Sequence, residues 1–167
     1  MDKTIRCSLG CGMRKPEGFI GIDIRLYKGV DYVLDIGKDR FPFEDNSVDY
    51  IEALQVFEHL DSSSMIHCMN ECYRILKPLG KLYVESPVFG SDSWLMHPDH
   101  KMHWSIPLLA FFHTPAEGID PHGYLKGFWD MEWKDVYPQL FVTFYPNKLG
   151  GKYPYKEVYR TDGERVC

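Results

Sequence analysis

The sequence predicts an α/β fold: a mainly parallel sheet that ends in a C-terminal antiparallel hairpin, with some of its crossover helices missing. Three observations predict it. Ser8-Leu9-Gly10-Cys11-Gly12 carries an apolar strand into a glycine turn. Gly21-Ile22-Asp23-Ile24 ends a second apolar strand near a carboxylate. Trp129, Met131 and Trp133 alternate with Asp130, Glu132 and Lys134, the period of two of a half-buried strand.

The elements follow in order. Residues 5–9 and 19–24 read as the first two strands. Val30-Asp31-Tyr32-Val33-Leu34-Asp35-Ile36 reads as a third, again ending at a carboxylate. Phe41-Pro42-Phe43-Glu44-Asp45-Asn46-Ser47-Val48-Asp49-Tyr50-Ile51 leads into a fourth. Met65, Ile66, Met69, Cys72, Tyr73 and Leu76 have helical spacing, with polar Asn70, Glu71 and Arg74 between them. Asp61 or Ser62 is a ready N-cap, and Pro78 and Gly80 are expected to stop that helix. Residues 82–87 read as the fifth strand and residues 106–112 as a short helix. Residues 129–134 and 140–145, joined through Tyr137-Pro138-Gln139, complete the sheet as a hairpin. The polar, turn-rich stretch from 150 to 167 is expected to be a surface tail on a single domain spanning residues 1–167.

One spacing is unusual. Only about nine residues separate the first two strands and about six the next two, whereas parallel neighbours normally need a crossover of a dozen or more. Either these connections are irregular loops, or one face of the sheet is partly bare. A bare apolar face would invite a partner or a second copy of the chain.

The bulk properties exclude some classes. No apolar run is long enough to span a bilayer, and Met1-Asp2-Lys3-Thr4 lacks an apolar signal segment, so the expectation is a cytoplasmic protein without membrane contact. A net charge of −5 argues against nucleic acid, which calls for a basic face. The five cysteines form no CxxC pair, and Cys68 and Cys72 share a helix face, where packing is their expected role.

In an open α/β sheet, ligands bind beyond the carboxyl ends of the strands. Glycines there let the backbone approach a ligand, and a carboxylate such as Asp23 accepts hydrogen bonds from both hydroxyls of a ribose. The segments Leu9-Gly10-Cys11-Gly12, Gly21-Ile22-Asp23-Ile24, Asp45-Asn46-Ser47-Val48-Asp49, Glu58-His59-Leu60 and Arg74-Ile75-Leu76-Lys77-Pro78-Leu79-Gly80 stand in a fixed order. In that order and spacing the chain resembles the class I S-adenosylmethionine-dependent methyltransferases, over about half its length. The resemblance implies a Rossmann-like sheet, S-adenosylmethionine as cofactor and methyl transfer to a small or medium-sized acceptor. It also implies residue roles. The backbone of Gly10, Cys11 and Gly12 would touch the methionine part of the cofactor. Asp23, with Ile24 beside it, would hold the ribose, and Asp35 and Ile36 would meet the adenine. Leu54 and Gln55 would line the methionine and sulfonium. Two positions depart from the family pattern: Ser8 stands where an acidic residue is common, and Arg14 replaces the third glycine.

Just past the fifth strand lies His97-Pro98-Asp99-His100-Lys101-Met102-His103-Trp104. By the resemblance, a loop there would overlie the cofactor's methyl end. Its histidines fit three readings: a base on the acceptor side, a metal site, or plain surface. The first is preferred, with His97 and His103 as candidate bases, and no metal is expected. His59 reads as structural. Two rivals remain for the function. One is a binding module that keeps the cofactor site without catalysis, or a subunit of a larger assembly. The other is an NAD-linked enzyme, which the missing phosphate-binding helix disfavours.

Overall fold

The computed structural model describes residues 4–112 and 123–148. Seven strands form one sheet: β1 (Arg6–Leu9), β2 (Ile20–Asp23), β3 (Tyr32–Val33), β4 (Val48–Leu54), β5 (Leu76–Pro87), β6 (Trp129–Val136) and β7 (Gln139–Pro146). Their order across the sheet is β3-β2-β1-β4-β5-β7-β6. The first five pair in parallel, and β7 pairs antiparallel with both β5 and β6. The mainly parallel sheet and its C-terminal hairpin are therefore present. The expected tail at 150–167 lies outside the described residues.

One face of the sheet holds the core. Helix α1 (Ser62–Ile75) packs Met65, Cys68, Met69 and Cys72 against Cys7, Ile51, Leu82 and Val84, all of them buried. Burial pushes the Cys7 and Cys72 thiols well above their ordinary value, as suits packing groups rather than nucleophiles. Asp61 caps α1, as expected: its Oδ1 accepts from Ser64 N and Ser63 Oγ, each at 2.8 Å, which lowers its carboxyl to about 2. After β5 come a short helix α2 (Asp92–Leu95) and helix α3 (Ile106–Phe112), and α3 adds Leu109 and Phe112, the latter edge-on to Phe144 of β7.

The helix end differs from the expectation. Helix α1 stops at Ile75, and Leu76 turns directly into β5 with an extended backbone. Proline disfavours helical backbone at Lys77 and itself lacks a ladder donor. Pro78 therefore sits in an irregularity, where pairing jumps from Val48↔Leu76 to Tyr50↔Lys81. Gly80 is required there, because a Cβ would lie 3.1 Å from the carbonyl oxygens of both Lys77 and Val48.

The third strand is also shorter than the sequence suggests. Only Tyr32 and Val33 pair, and both are exposed on the sheet edge. Asp35 ends the strand by turning the chain, its Oδ1 accepting from Gly37 N at 2.9 Å.

No helix lies between β1 and β2 or between β2 and β3, so both connections are irregular loops. Carboxylates replace helices as their anchors. Asp31 Oδ2 accepts from Gly21 N at 2.7 Å and from Lys15 Nζ at 2.8 Å, tying both loops to β2. The loops close over Gly21 so tightly that a Cβ there would lie 2.7 Å from Cys11 Sγ and from Lys15 Cδ.

The second face of the sheet mixes polar side chains with apolar and aromatic ones such as Tyr83, Phe141 and Val136. Register aligns Gly21, Ser8, Glu52, Tyr83, Thr143 and Glu132 in one row across it. Ser8 Oγ donates to buried Glu52 Oε1 at 3.0 Å. Polar side chains thus satisfy one another where helices would otherwise cover the sheet. Among the described residues, no helix is long and apolar enough to cross a membrane.

Candidate functional site

The carboxyl ends of β1, β2 and β4 open into a cavity of about 810 Å³, within the roughly 300–1,000 Å³ range of small-molecule sites. A shallower hollow of about 580 Å³ lies on the second face between β5, β7 and β6, away from the strand ends. The first is the candidate site, because it alone collects the strand-terminal carboxylates and the glycine turn.

Seven of the nine expected cofactor residues line this cavity: Gly10, Gly12, Asp23, Ile24, Asp35, Ile36 and Gln55. Gly10 and Gly12 both have positive φ, +59° and +51°. Their surroundings differ. A Cβ on Gly10 would strike Val56 Cγ2 at 2.5 Å, while one on Gly12 would meet nothing within 4 Å. Gly10 therefore serves the packing of the turn, and Gly12 presents open backbone.

Asp23 is 8% exposed and is held by two backbone donors. Its Oδ2 accepts from Gly12 N at 2.8 Å and its Oδ1 from Arg25 N at 2.9 Å. Each oxygen keeps a further lone pair for a ligand hydroxyl. Asp35 is held by Gly37 and by Lys38, whose Nζ lies 2.9 Å from Oδ2 and keeps this carboxyl below its usual range. Gln55 adopts φ +56°, an uncommon backbone for a side-chain-bearing residue. Its amide donates to Glu85 Oε1 and Gln139 Oε1, so the side chain of this cavity-lining residue is tied to β5 and β7.

Cys11 and Leu54 are not on the cavity wall. The Cys11 thiol is tucked beside Gly21, and Leu54 is exposed at the end of β4. Ser8 also faces away, toward Glu52.

The acceptor side departs further from the sequence reading. Asp99 and Lys101 line the cavity; His97 and His103 do not. His103 stacks on Phe89 at 4.0 Å between ring centres, and His97 lies against His100 at 5.0 Å. The imidazole on the wall is His59, at the end of the turn Phe57–His59, with its Nδ1 3.1 Å from Asp99 Oδ2. The loop after β5 is fastened below this pair, because the Glu58 carbonyl accepts from Lys101 N and Met102 N. The Glu58 carboxyl is buried, accepts from Ser86 Oγ at 3.0 Å, and is raised above its usual value by that burial. Burial, then the neighbouring His59, lowers His100. Sequence reasoning missed His59, Asp99 and the apolar wall of Val56 and Leu60. His59 reads as structural in the sequence, although Glu58-His59-Leu60 is one of the segments that carry the resemblance and follows the fourth strand, whose end faces the crevice.

Comparison with known proteins agrees with this geometry. Residues 23–84 match the family model described as a methyltransferase domain. Solved structures share the architecture across most of both chains. A SAM-dependent methyltransferase from Archaeoglobus fulgidus matches with a TM-score of 0.59 at 20% identity, covering 86% of each chain. One from Thermotoga maritima, described as a possible histamine N-methyltransferase, has a TM-score of 0.59 at 14% identity, covering 89% of this chain and 84% of that one. The PH0226 protein from Pyrococcus horikoshii OT3 has a TM-score of 0.56 at 15% identity, covering 86% and 84%. The fold is that of the class I S-adenosylmethionine-dependent methyltransferases. No curated protein matches the chain.

Proposed function

We propose that this chain transfers the methyl group of S-adenosylmethionine to a small or medium-sized acceptor. The observation that carries the proposal is Asp23. This carboxylate stands at the carboxyl end of β2, pinned to Gly12 N, on the wall of the one cavity that also holds Asp35. In this reading Asp23 accepts from the ribose hydroxyls, Asp35 and Ile36 flank the adenine, and the open backbone at Gly12 meets the methionine part. The absence of a helix after β1 also supports a methyl donor over NAD, since a pyrophosphate is held by a helix N-terminus.

Methyl transfer is an in-line displacement at the sulfonium carbon, so alignment does most of the work. A base is needed only when the acceptor must lose a proton. We place that role on His59. Asp99 accepts its Nδ1–H, fixes the tautomer and leaves Nε2 as the proton acceptor. The sequence had singled out His97 and His103, whose rings pack on His100 and Phe89 instead.

Calorimetric titration with S-adenosylmethionine, with its demethylated product and with NAD tests the cofactor. Binding of the first two and not the third is expected; NAD binding alone would sink the reading. A methyl-donor turnover assay over candidate acceptors then separates an enzyme from a silent binding module.

A further inference from the structure

The loop after β5 carries a constellation of which the proposed function uses only Asp99. His97-Pro98-Asp99-His100 forms one turn, closed by His100 N donating to the His97 carbonyl. Pro98 occupies its second position, where a proline presets the backbone. The turn brings the side chains of residues 97, 99 and 100 together: one ligand atom from each lies within 4.8 Å of the others. The two imidazole centres are 5.0 Å apart. Two histidines on one tetrahedral ion sit about 5 Å apart between ring centres, given metal–nitrogen bonds of about 2.0–2.1 Å.

The surroundings are those of a metal's outer shell. His100 Nδ1 lies 3.0 Å from the Trp94 carbonyl. A carbonyl only accepts, so Nδ1 carries the proton and Nε2 keeps its lone pair. His59 in turn presents Nδ1 to Asp99 Oδ2, orienting the carboxylate. Ligating side chains are characteristically held by such partners.

We infer that His97, Asp99 and His100 form a three-ligand site for a divalent transition-metal ion of the zinc class. Imidazole selects zinc-like ions over magnesium or calcium. Ligand atoms on a tetrahedral ion are about 3.3 Å apart, so the side chains close by at most about 1.5 Å; His97 and Asp99 are exposed and free to do so. Three protein ligands leave one position open. Asp99 lies on the cavity wall, which directs that position to the acceptor side, where it takes a lone pair of the acceptor's oxygen, nitrogen or sulfur. This last consequence rests on the methyltransferase reading; the metal site itself does not.

The test is titration of the chelator-stripped full chain with Zn²⁺, and with Co²⁺ followed by its visible ligand-field bands. One ion per chain, a Kd of about 1 µM or tighter and tetrahedral Co²⁺ bands are expected. His97→Ala, Asp99→Asn and His100→Ala should each weaken binding at least 100-fold. His59→Ala should weaken it about 10- to 100-fold, the range for an outer-shell partner. His67→Ala, on α1, should leave it unchanged. Because His97 makes only an exposed ring contact, His97→Ala keeps the test clear of misfolding, which a thermal melt checks. Binding that is weak, not one-to-one, or insensitive to His97→Ala and His100→Ala overturns the site. S-adenosylmethionine titrated into the stripped protein separates the two claims. Metal binding without cofactor binding sinks the methyltransferase reading alone, and the reverse sinks the metal site alone.

Discussion

Replacing Asp23 by Asn tests the cofactor site most directly. The substitution keeps the shape of the side chain and removes its charge. In the native chain the two carboxylate oxygens already accept from Gly12 N and Arg25 N at 2.8 and 2.9 Å. An amide turns its NH₂ toward one of these donors or toward the ligand, so a ribose hydroxyl loses its acceptor. A hydrogen bond to a charged group contributes about 1.5–3 kcal/mol. That corresponds to roughly 10- to 150-fold in Kd. Isothermal titration with S-adenosylmethionine and with its demethylated product reads the change. Asp23 also tethers the glycine turn, so a loosened loop must be told apart from a lost contact. Asp31→Asn supplies the control: Asp31 holds Gly21 N and Lys15 on the same loops but does not line the cavity. It should lower the melting temperature and, acting only through the loops it anchors, weaken affinity clearly less than Asp23→Asn does. Asn at 23 with native affinity, or equal losses in the two variants, would refute the assignment of Asp23 to the ribose.

Three further outcomes follow from the packing. Glu58 is buried and its carboxyl is raised, so its protonated form favours folding. Stability from this group is fully present below about pH 4.3, the ordinary glutamate value, and is lost as pH rises through the raised folded-state value. Glu58→Gln should therefore flatten the fall in melting temperature over that window; an unchanged pH profile would contradict it. Met69 is 0% exposed between α1 and the sheet, and Met69→Ala should cost about 2–5 kcal/mol in urea unfolding. Gly21→Ala places a methyl 2.7 Å from Cys11 Sγ and should destabilise by about 1–3 kcal/mol, with a matching loss of cofactor affinity as the glycine turn shifts.

The legible parts of this molecule are those fixed by local chemistry. The glycine turn at Gly10 and Gly12, the carboxylate at Asp23 and the alternation at Trp129, Met131 and Trp133 each have a short-range physical cause. The structure places them at the cavity and in the hairpin. Features set by tertiary context were not legible. The apolar run around Val33 reads as a strand, but with only β2 beside it just two residues pair. Pro78 marks a helix stop, yet pairing of Leu76 with Val48 ends the helix sooner. His59 looks like any core histidine that follows a strand. Only the return of the chain after β5 sets Asp99 against it. For the same reason Gln55 was found and Val56 was not. The resemblance names Gln55 at the end of the fourth strand, while the valine matters only because it fills the space a Cβ on Gly10 would need.

The missing crossover helices raise the question of what holds the loops that line the cavity in place. In a doubly wound sheet, helix packing does this on both faces. Here three carboxylates take that part. Asp31 fastens β2 to its flanking loops, Asp23 fastens the glycine turn, and Asp35 fastens the turn after β3. Each accepts from backbone N–H groups, so each anchor is a charge-assisted hydrogen bond, shorter and stronger than a neutral one. The second face can then carry polar side chains, with buried Ser8 and Glu52 satisfying each other. Such anchors have a different weakness from helices. They depend on ionised carboxylates, and Asp31 and Asp35 are both held below their ordinary value by Lys15 and Lys38. Their contribution is present above the ordinary carboxylate range and is lost as pH falls through the lowered folded-state values. Acid should therefore release the loops that line the cavity before the α1-covered core unfolds. Hydrogen exchange measured as pH is lowered should show Gly21 N and Gly37 N losing protection ahead of the amides of β4. Simultaneous loss at all these sites would show that packing, and not the carboxylates, holds the loops.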